Sequence, residues 1–121
     1  MIALLKALFG VGAPQVSPRD AVQRMNQGAA LVDVREAGEF AAGHVRGACH
    51  IPLGDLRAGG PALLDARLPA ATTEILLICQ SGMRSRLAQS GLAGKDARTY
   101  LNIAGGMSAW RAHGLPVSRQ G

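Results

Sequence analysis

A chain of 121 residues that is 48% hydrophobic is long enough to bury roughly two-thirds of its unfolded surface in one domain and too short for a second core. Its net charge of +5 comes from 13 Lys and Arg spread along the whole sequence. They are accompanied by only four aromatics, Phe9, Phe40, Tyr100 and Trp110, which argues against a nucleic-acid surface and for small anionic substrates or an acidic partner. Two cysteines, Cys49 and Cys79, make neither a disulfide framework nor a four-ligand zinc site, and the three histidines are scattered, so no metal or cofactor is expected.

Met1 to Val11 is apolar apart from Lys6 but falls well short of the ~20 residues that span a bilayer, so no transmembrane helix is expected. Basic residues before the apolar run are missing, and Gly10-Val11-Gly12-Ala13 only faintly matches a signal cleavage site. A cytoplasmic protein is the expectation, with export the alternative. The segment reads as a short helix packing on the domain, on a partner or on a membrane surface.

Gln15-Val16-Ser17 reads as a brief edge strand, then Ser17 as N-cap and Pro18 at the first helical position of a helix to about Gln27, ended by Gly28. Ala29 to Val34 is a buried strand with Asp33 and Arg35 at its carboxyl end, and Glu36 to Ala42 is a short helix closed by Gly43. Cys49-His50-Ile51 before Pro52 is a third short strand. Leu53 to Leu68 carries helical pieces interrupted by Gly59-Gly60-Pro61, and Thr73 to Ile78 is a strand. Thr99 to Ile103 is a further strand, followed by Gly105-Gly106 and a terminal helix through Ala109, Trp110 and His113, stopped by Gly114-Leu115-Pro116. Strands alternating with helices at this spacing predict a parallel α/β sheet covered on both faces. Sites in such sheets form at the carboxyl ends of the strands. Asp33 with Arg35, Pro52 with Leu53, Cys79 to Arg84, and Ile103 to Met107 should all emerge there.

One of these loops carries a nucleophile. Ile75-Leu76-Leu77-Ile78 is an unbroken apolar run of the kind that fills a strand buried on both faces, and Cys79 ends it. Ser85 to Gly94 reads as a helix. A thiol between a strand and a helix start meets unpartnered amides and the positive end of the helix dipole, both of which favour the attacking thiolate. Arg84 adds a fixed positive charge, and Gly82 lets the backbone turn. The residues alone leave open a plainer alternative, in which Cys79 is a buried core cysteine and Arg84 a solvated charge.

Four stretches in register resemble a known family. Asp33-Val34-Arg35-Glu36, Glu39-Phe40, Gly43-His44-Val45, Gly47-Ala48 and Ile51-Pro52-Leu53 follow the opening pattern of single-domain rhodaneses. Cys79-Gln80-Ser81-Gly82-Met83-Arg84-Ser85 is similar to their active-site loop. Gly105-Gly106 with Ala109-Trp110, and Gly114-Leu115-Pro116-Val117, are similar to their closing pattern. The resemblance divides the chain into an apolar extension over 1–13, a rhodanese-like domain over 14–118 and a tail over 119–121. It implies a five-stranded parallel sheet with helices on both faces and a sulfurtransferase that carries sulfane sulfur on Cys79.

On that resemblance Cys79 and Arg84 are the catalytic pair, and Gln80, Ser81, Gly82, Met83 and Arg84 bind substrate through the loop. Asp33, Arg35, Glu39 and His44 support it, with Arg35 in a structural ion pair, and Trp110 and Phe40 belong to the core. Cys49 reads as inert packing rather than a resolving thiol. The expected partners are a small sulfur-containing anion as donor and a thiol, free or on a protein, or cyanide as acceptor, for a monomer or dimer. Rhodaneses that move sulfur from thiosulfate to cyanide often carry two basic residues directly after the cysteine, where this chain has Gln80 and Ser81. Two other readings stay open. A phosphatase or arsenate reductase is the first, although such loops place five residues between Cys and Arg and four lie between Cys79 and Arg84. A non-catalytic interaction module is the second.

Overall fold

The computed structural model describes residues 14–121, so the helix expected over Met1 to Val11 lies outside the described residues. The chain runs β1 (Gln15–Val16), α1 (Pro18–Asn26), β2 (Ala30–Asp33), α2 (Ala37–Ala42), β3 (Cys49–His50), α3 (Leu53–Arg67), β4 (Glu74–Ile78), α4 (Met83–Leu92), β5 (Thr99–Ile103) and α5 (Gly106–Ala112). Local chemistry sets the ends of these elements. Ser17 Oγ accepts from the Asp20 amide at 3.1 Å and Pro18 opens α1, while Glu36 and Glu39 close a reciprocal capping box at the start of α2. α3 is two helical pieces joined at Gly60, with φ 58° and ψ −150°, directly before Pro61.

The five strands form one parallel sheet in the order β1-β5-β4-β2-β3, so β4 lies in its middle. The apolar run of β4 is explained by what covers it. Ile75, Leu77 and Cys79 face a core shared with Leu56 and Leu64 of α3 and Ala88 and Leu92 of α4. Leu76 and Ile78, one residue out of phase, face Ala21 of α1 and Met107 and Trp110 of α5. The register sets Asp33 beside Ile78 and Leu77 beside Asn102, which brings the loops after β2, β4 and β5 together at the carboxyl edge.

Several expectations shift, most of them by a residue at an element's end. α4 begins at Met83, two residues before the expected Ser85, because Gly82 caps it with φ +102°. α5 stops at Ala112, one residue before His113. Trp110 is 2% exposed and donates Nε1–H to the Pro116 carbonyl at 2.9 Å, but Phe40 is not part of the core. Phe40 is half-buried and stacked between two imidazoles, with ring centroids 3.8 Å from His44 and 4.4 Å from His50. The short α2 buries none of its residues, which leaves Phe40 stacked on the flanking histidines outside both core clusters.

Candidate active site

Cys79 leaves the end of β4 on the α3/α4 side of the sheet, and the loop to Gly82 folds back over it. The Gly82 amide donates to Cys79 Sγ at 3.1 Å, and the Ser85 hydroxyl lies 3.3 Å from the same sulfur. Burial pushes the Cys79 thiol up. Hydrogen bonds from the Ser85 hydroxyl and from the amides of Ser85, Gly82 and Ser81 outweigh it, so the thiol is held below its ordinary value. Ser85 lies in the first turn of α4, whose amides lack helical partners, Gly82 is its N-cap and Ser81 directly precedes it. Cys79 has no exposed surface at rest, whereas Gln80 and Ser81 above it are exposed.

The loop amides can face the sulfur because the loop carbonyls are taken elsewhere. The Met107 amide donates to the Cys79 carbonyl at 2.8 Å and the Ser108 amide to the Gln80 carbonyl at 3.1 Å, so the start of α5 grips the outer side of the loop. Gln80 adds a side-chain bond to Ser108 Oγ at 3.2 Å. This grip requires a glycine at 106. A Cβ there would lie 2.3 Å from the Cys79 carbonyl oxygen, and its φ of +58° is one that other residues seldom adopt.

Beneath the loop sits Asn102 of β5, 5% exposed. Its Nδ2 donates to the Gly82 carbonyl at 3.2 Å, which turns Oδ1 toward Ser85 and lets it accept that hydroxyl at 2.6 Å. A hydroxyl has one proton to donate, so Ser85 serves Asn102 or the sulfur, and an ionised sulfur is the stronger acceptor. Ser85 lies in the expected active-site loop and Gly106 in the expected edge segment Ile103 to Met107, but Asn102 is a site residue that the sequence motifs do not mark. The signal for Asn102 was a lone polar residue within the otherwise apolar end of β5.

The supporting residues of the expected site fall into two groups. Asp33 and Arg35 form a pair with 0% and 2% of their side chains exposed, closing at 2.8 Å. Arg35 also donates to the carbonyls of Glu39 and Gly43, tying the end of β2 to α2. All three of its guanidinium nitrogens donate to scaffold. Arg84, expected to add a fixed positive charge to the loop, is in a bidentate pair with Glu39 at 2.6 and 2.9 Å, with about a third of each side chain exposed. Those hydrogen bonds pull Glu39 down to about 2 against the effect of burial, and the same contact raises Arg84. Met83 is 75% exposed and Leu87, one turn on, 49%. Cys49 is half-buried and packs against the α3/α4 core. Among the described residues no group of His, Cys, Asp and Glu could hold a metal, and no helix is long and apolar enough to cross a membrane.

Residues 17–113 match the model of the rhodanese-like domain. A thiosulfate sulfurtransferase, GlpE, of Pseudomonas putida is 34% identical over 99 residues, covering 81% of this chain and 84% of that one. The putative sulfur carrier protein YrkF of Bacillus subtilis is 30% identical over 99 residues, which make up 50% of its length. Among solved structures, the human single-domain sulfurtransferase TSTD1 superposes with a TM-score of 0.69 at 29% identity, covering 84% of this chain and 97% of that one. A rhodanese-related protein of Thermoplasma volcanium, at 23% identity and a TM-score of 0.75 over 88% of this chain and 99% of that one, shares the fold. With its thiol at the carboxyl edge of a five-stranded parallel sheet, the chain belongs to the rhodanese-like domain family as a sulfurtransferase of the rhodanese type.

Proposed function

We propose that Cys79 carries sulfane sulfur as a persulfide between a small anionic donor and a thiol or cyanide acceptor. The observation that carries this reading is the set of donors converging on Cys79 Sγ, with the Gly82 amide at 3.1 Å and the Ser85 hydroxyl at 3.3 Å. In the first step the Cys79 thiolate attacks the outer sulfur of a donor such as thiosulfate. A sulfur–sulfur bond forms to Cys79, the bond to the sulfonate breaks, and sulfite leaves with the electron pair. In the second step an acceptor thiolate attacks the outer sulfur of the persulfide, forms a new persulfide and returns Cys79 as thiolate; cyanide in its place leaves as thiocyanate. Amides of the loop, Gln80 to Arg84, surround the outer sulfur and stabilise its negative charge. Because Cys79 has no exposed surface at rest, admitting the donor requires the loop to open.

A phosphatase would need Arg84 free to clamp two phosphoryl oxygens, and the Glu39 pair tells against that. Turnover also needs Cys79 reduced, which fits a reducing compartment such as the cytoplasm. The test is to incubate the protein with thiosulfate, remove the excess and weigh it intact. The expected result is a gain of one sulfur that disappears on adding cyanide and is absent from Cys79→Ser. No gain, or a gain that survives Cys79→Ser, overturns the proposal.

A further inference from the structure

The loop from Cys79 to Arg84 contains a single charged side chain, and it is already spoken for. Arg84 directs both terminal nitrogens to the two carboxylate oxygens of Glu39, a fork-on-fork pair that a passing anion must break before it can use the same donors. Glu39 is itself anchored, since its Oε1 accepts the Glu36 amide at 3.1 Å in the capping box of α2, and α2 is held to β2 through Arg35. Glu39 stays ionised far below neutral pH, so the pair persists across the working range. Where the loop side chains face outward they are neutral: Gln80, Ser81 and, beginning α4, Met83. Leu87 continues the exposed apolar surface one turn along the same helix.

From this we infer that Glu39 determines which donor the site prefers: by holding Arg84 it selects sulfane donors that carry one negative charge and an apolar body over the compact dianion thiosulfate. The inference rests on the persulfide reading of Cys79. Attack by a thiolate on a dianion brings three negative charges together; while Glu39 holds the guanidinium, the charge of Arg84 is largely offset and its donors are occupied, which leaves the loop amides and the helix start as the main compensation. A thiosulfonate replaces one sulfonate oxygen by carbon, lowers the donor's charge by one and presents an apolar group to Met83 and Leu87. The chemistry is otherwise the same: the thiolate attacks the outer sulfur, the sulfur–sulfur bond to the donor breaks, and a sulfinate leaves in place of sulfite.

The discriminating variant is Glu39→Gln, which keeps the capping bond to the Glu36 amide but loses the charge that holds Arg84. Steady-state kcat/KM is measured with thiosulfate and with benzenethiosulfonate for the wild type, Glu39→Gln and the double variant Glu39→Gln/Arg84→Met. The wild type should favour benzenethiosulfonate. Glu39→Gln should raise kcat/KM for thiosulfate by about tenfold while leaving benzenethiosulfonate within about twofold, and the double variant should lose the gain. Thiosulfate use that is unchanged or lowered in Glu39→Gln, or an equal rise with both donors, overturns the inference. If neither donor adds sulfur to Cys79 in the intact mass, it is the persulfide reading that has failed.

Discussion

At the scale of single residues, the chemistry of the site depends on how one proton is shared. Ser85 can donate to Cys79 Sγ at 3.3 Å or to Asn102 Oδ1 at 2.6 Å. Ionisation of the sulfur draws the hydroxyl toward it; in the proposed persulfide, whose charge would lie on the outer sulfur, the hydroxyl would return to Asn102. The reactive form is the deprotonated one, so activity is present above the folded-state pKa of Cys79 and is lost as pH falls through it. Removing the Ser85 hydroxyl removes a contribution that lowers that pKa. Ser85→Ala should therefore move the acid limb of the kcat/KM profile to higher pH and reduce kcat/KM about tenfold at neutral pH, the value of one hydrogen bond to a charged group. An unshifted profile would show that Ser85 does not act on the thiol. Cys79 and the turn at Gly82 were legible in the sequence because strand, turn residue and helix are contiguous. The parts played by Ser85 and Asn102 were not, since they lie 17 residues apart and meet only when β5 pairs beside β4.

Among the elements, α5 sets the shape of the loop around the nucleophile. The amides of Met107 and Ser108 take the carbonyls of Cys79 and Gln80, and this fixes which way the loop peptides point. Gly106→Ala would place a methyl group against the Cys79 carbonyl. The expected cost is about 2 kcal/mol of folding stability, with a fall of at least about tenfold in kcat as the amides lose their aim. Urea denaturation and steady-state kinetics read the two effects, and wild-type values for both would contradict the account of the loop. Helix boundaries near this contact were the least legible feature. The helical pattern of Ser85 to Gly94 is carried by buried side chains, whereas the true start of α4 at Met83 is set by the backbone of Gly82.

For the molecule as a whole, the parallel α/β architecture followed directly from the alternation of apolar runs and capped helices, and β4, buried on both faces, had the clearest signature. What the pattern could not show was how side chains from different elements use one another. The charge of Arg84 was legible but its partner was not, because Glu39 lies 45 residues away, and Phe40 read as core because aromatic residues usually are. The Asp33–Arg35 pair is the main polar joint between sheet and α2. Asp33→Ala leaves Arg35 charged and buried beside two carbonyls, and should cost about 3–5 kcal/mol in urea denaturation. A loss below about 0.5 kcal/mol would mean that the pair does not hold this joint.

The account stands on the state of one sulfur atom, and a titration of the resting protein reads it without requiring a donor to enter. Ultraviolet thiolate absorbance is followed against pH for the wild type and for Cys79→Ser, whose difference removes the contribution of Cys49. The ring of amides and the Ser85 hydroxyl predict that Cys79 ionises below the ordinary cysteine value of ~8.5. A difference curve with its midpoint at or above that value would mean that burial prevails over the hydrogen bonds and that Cys79 is a core residue, without the charge that sulfur transfer needs.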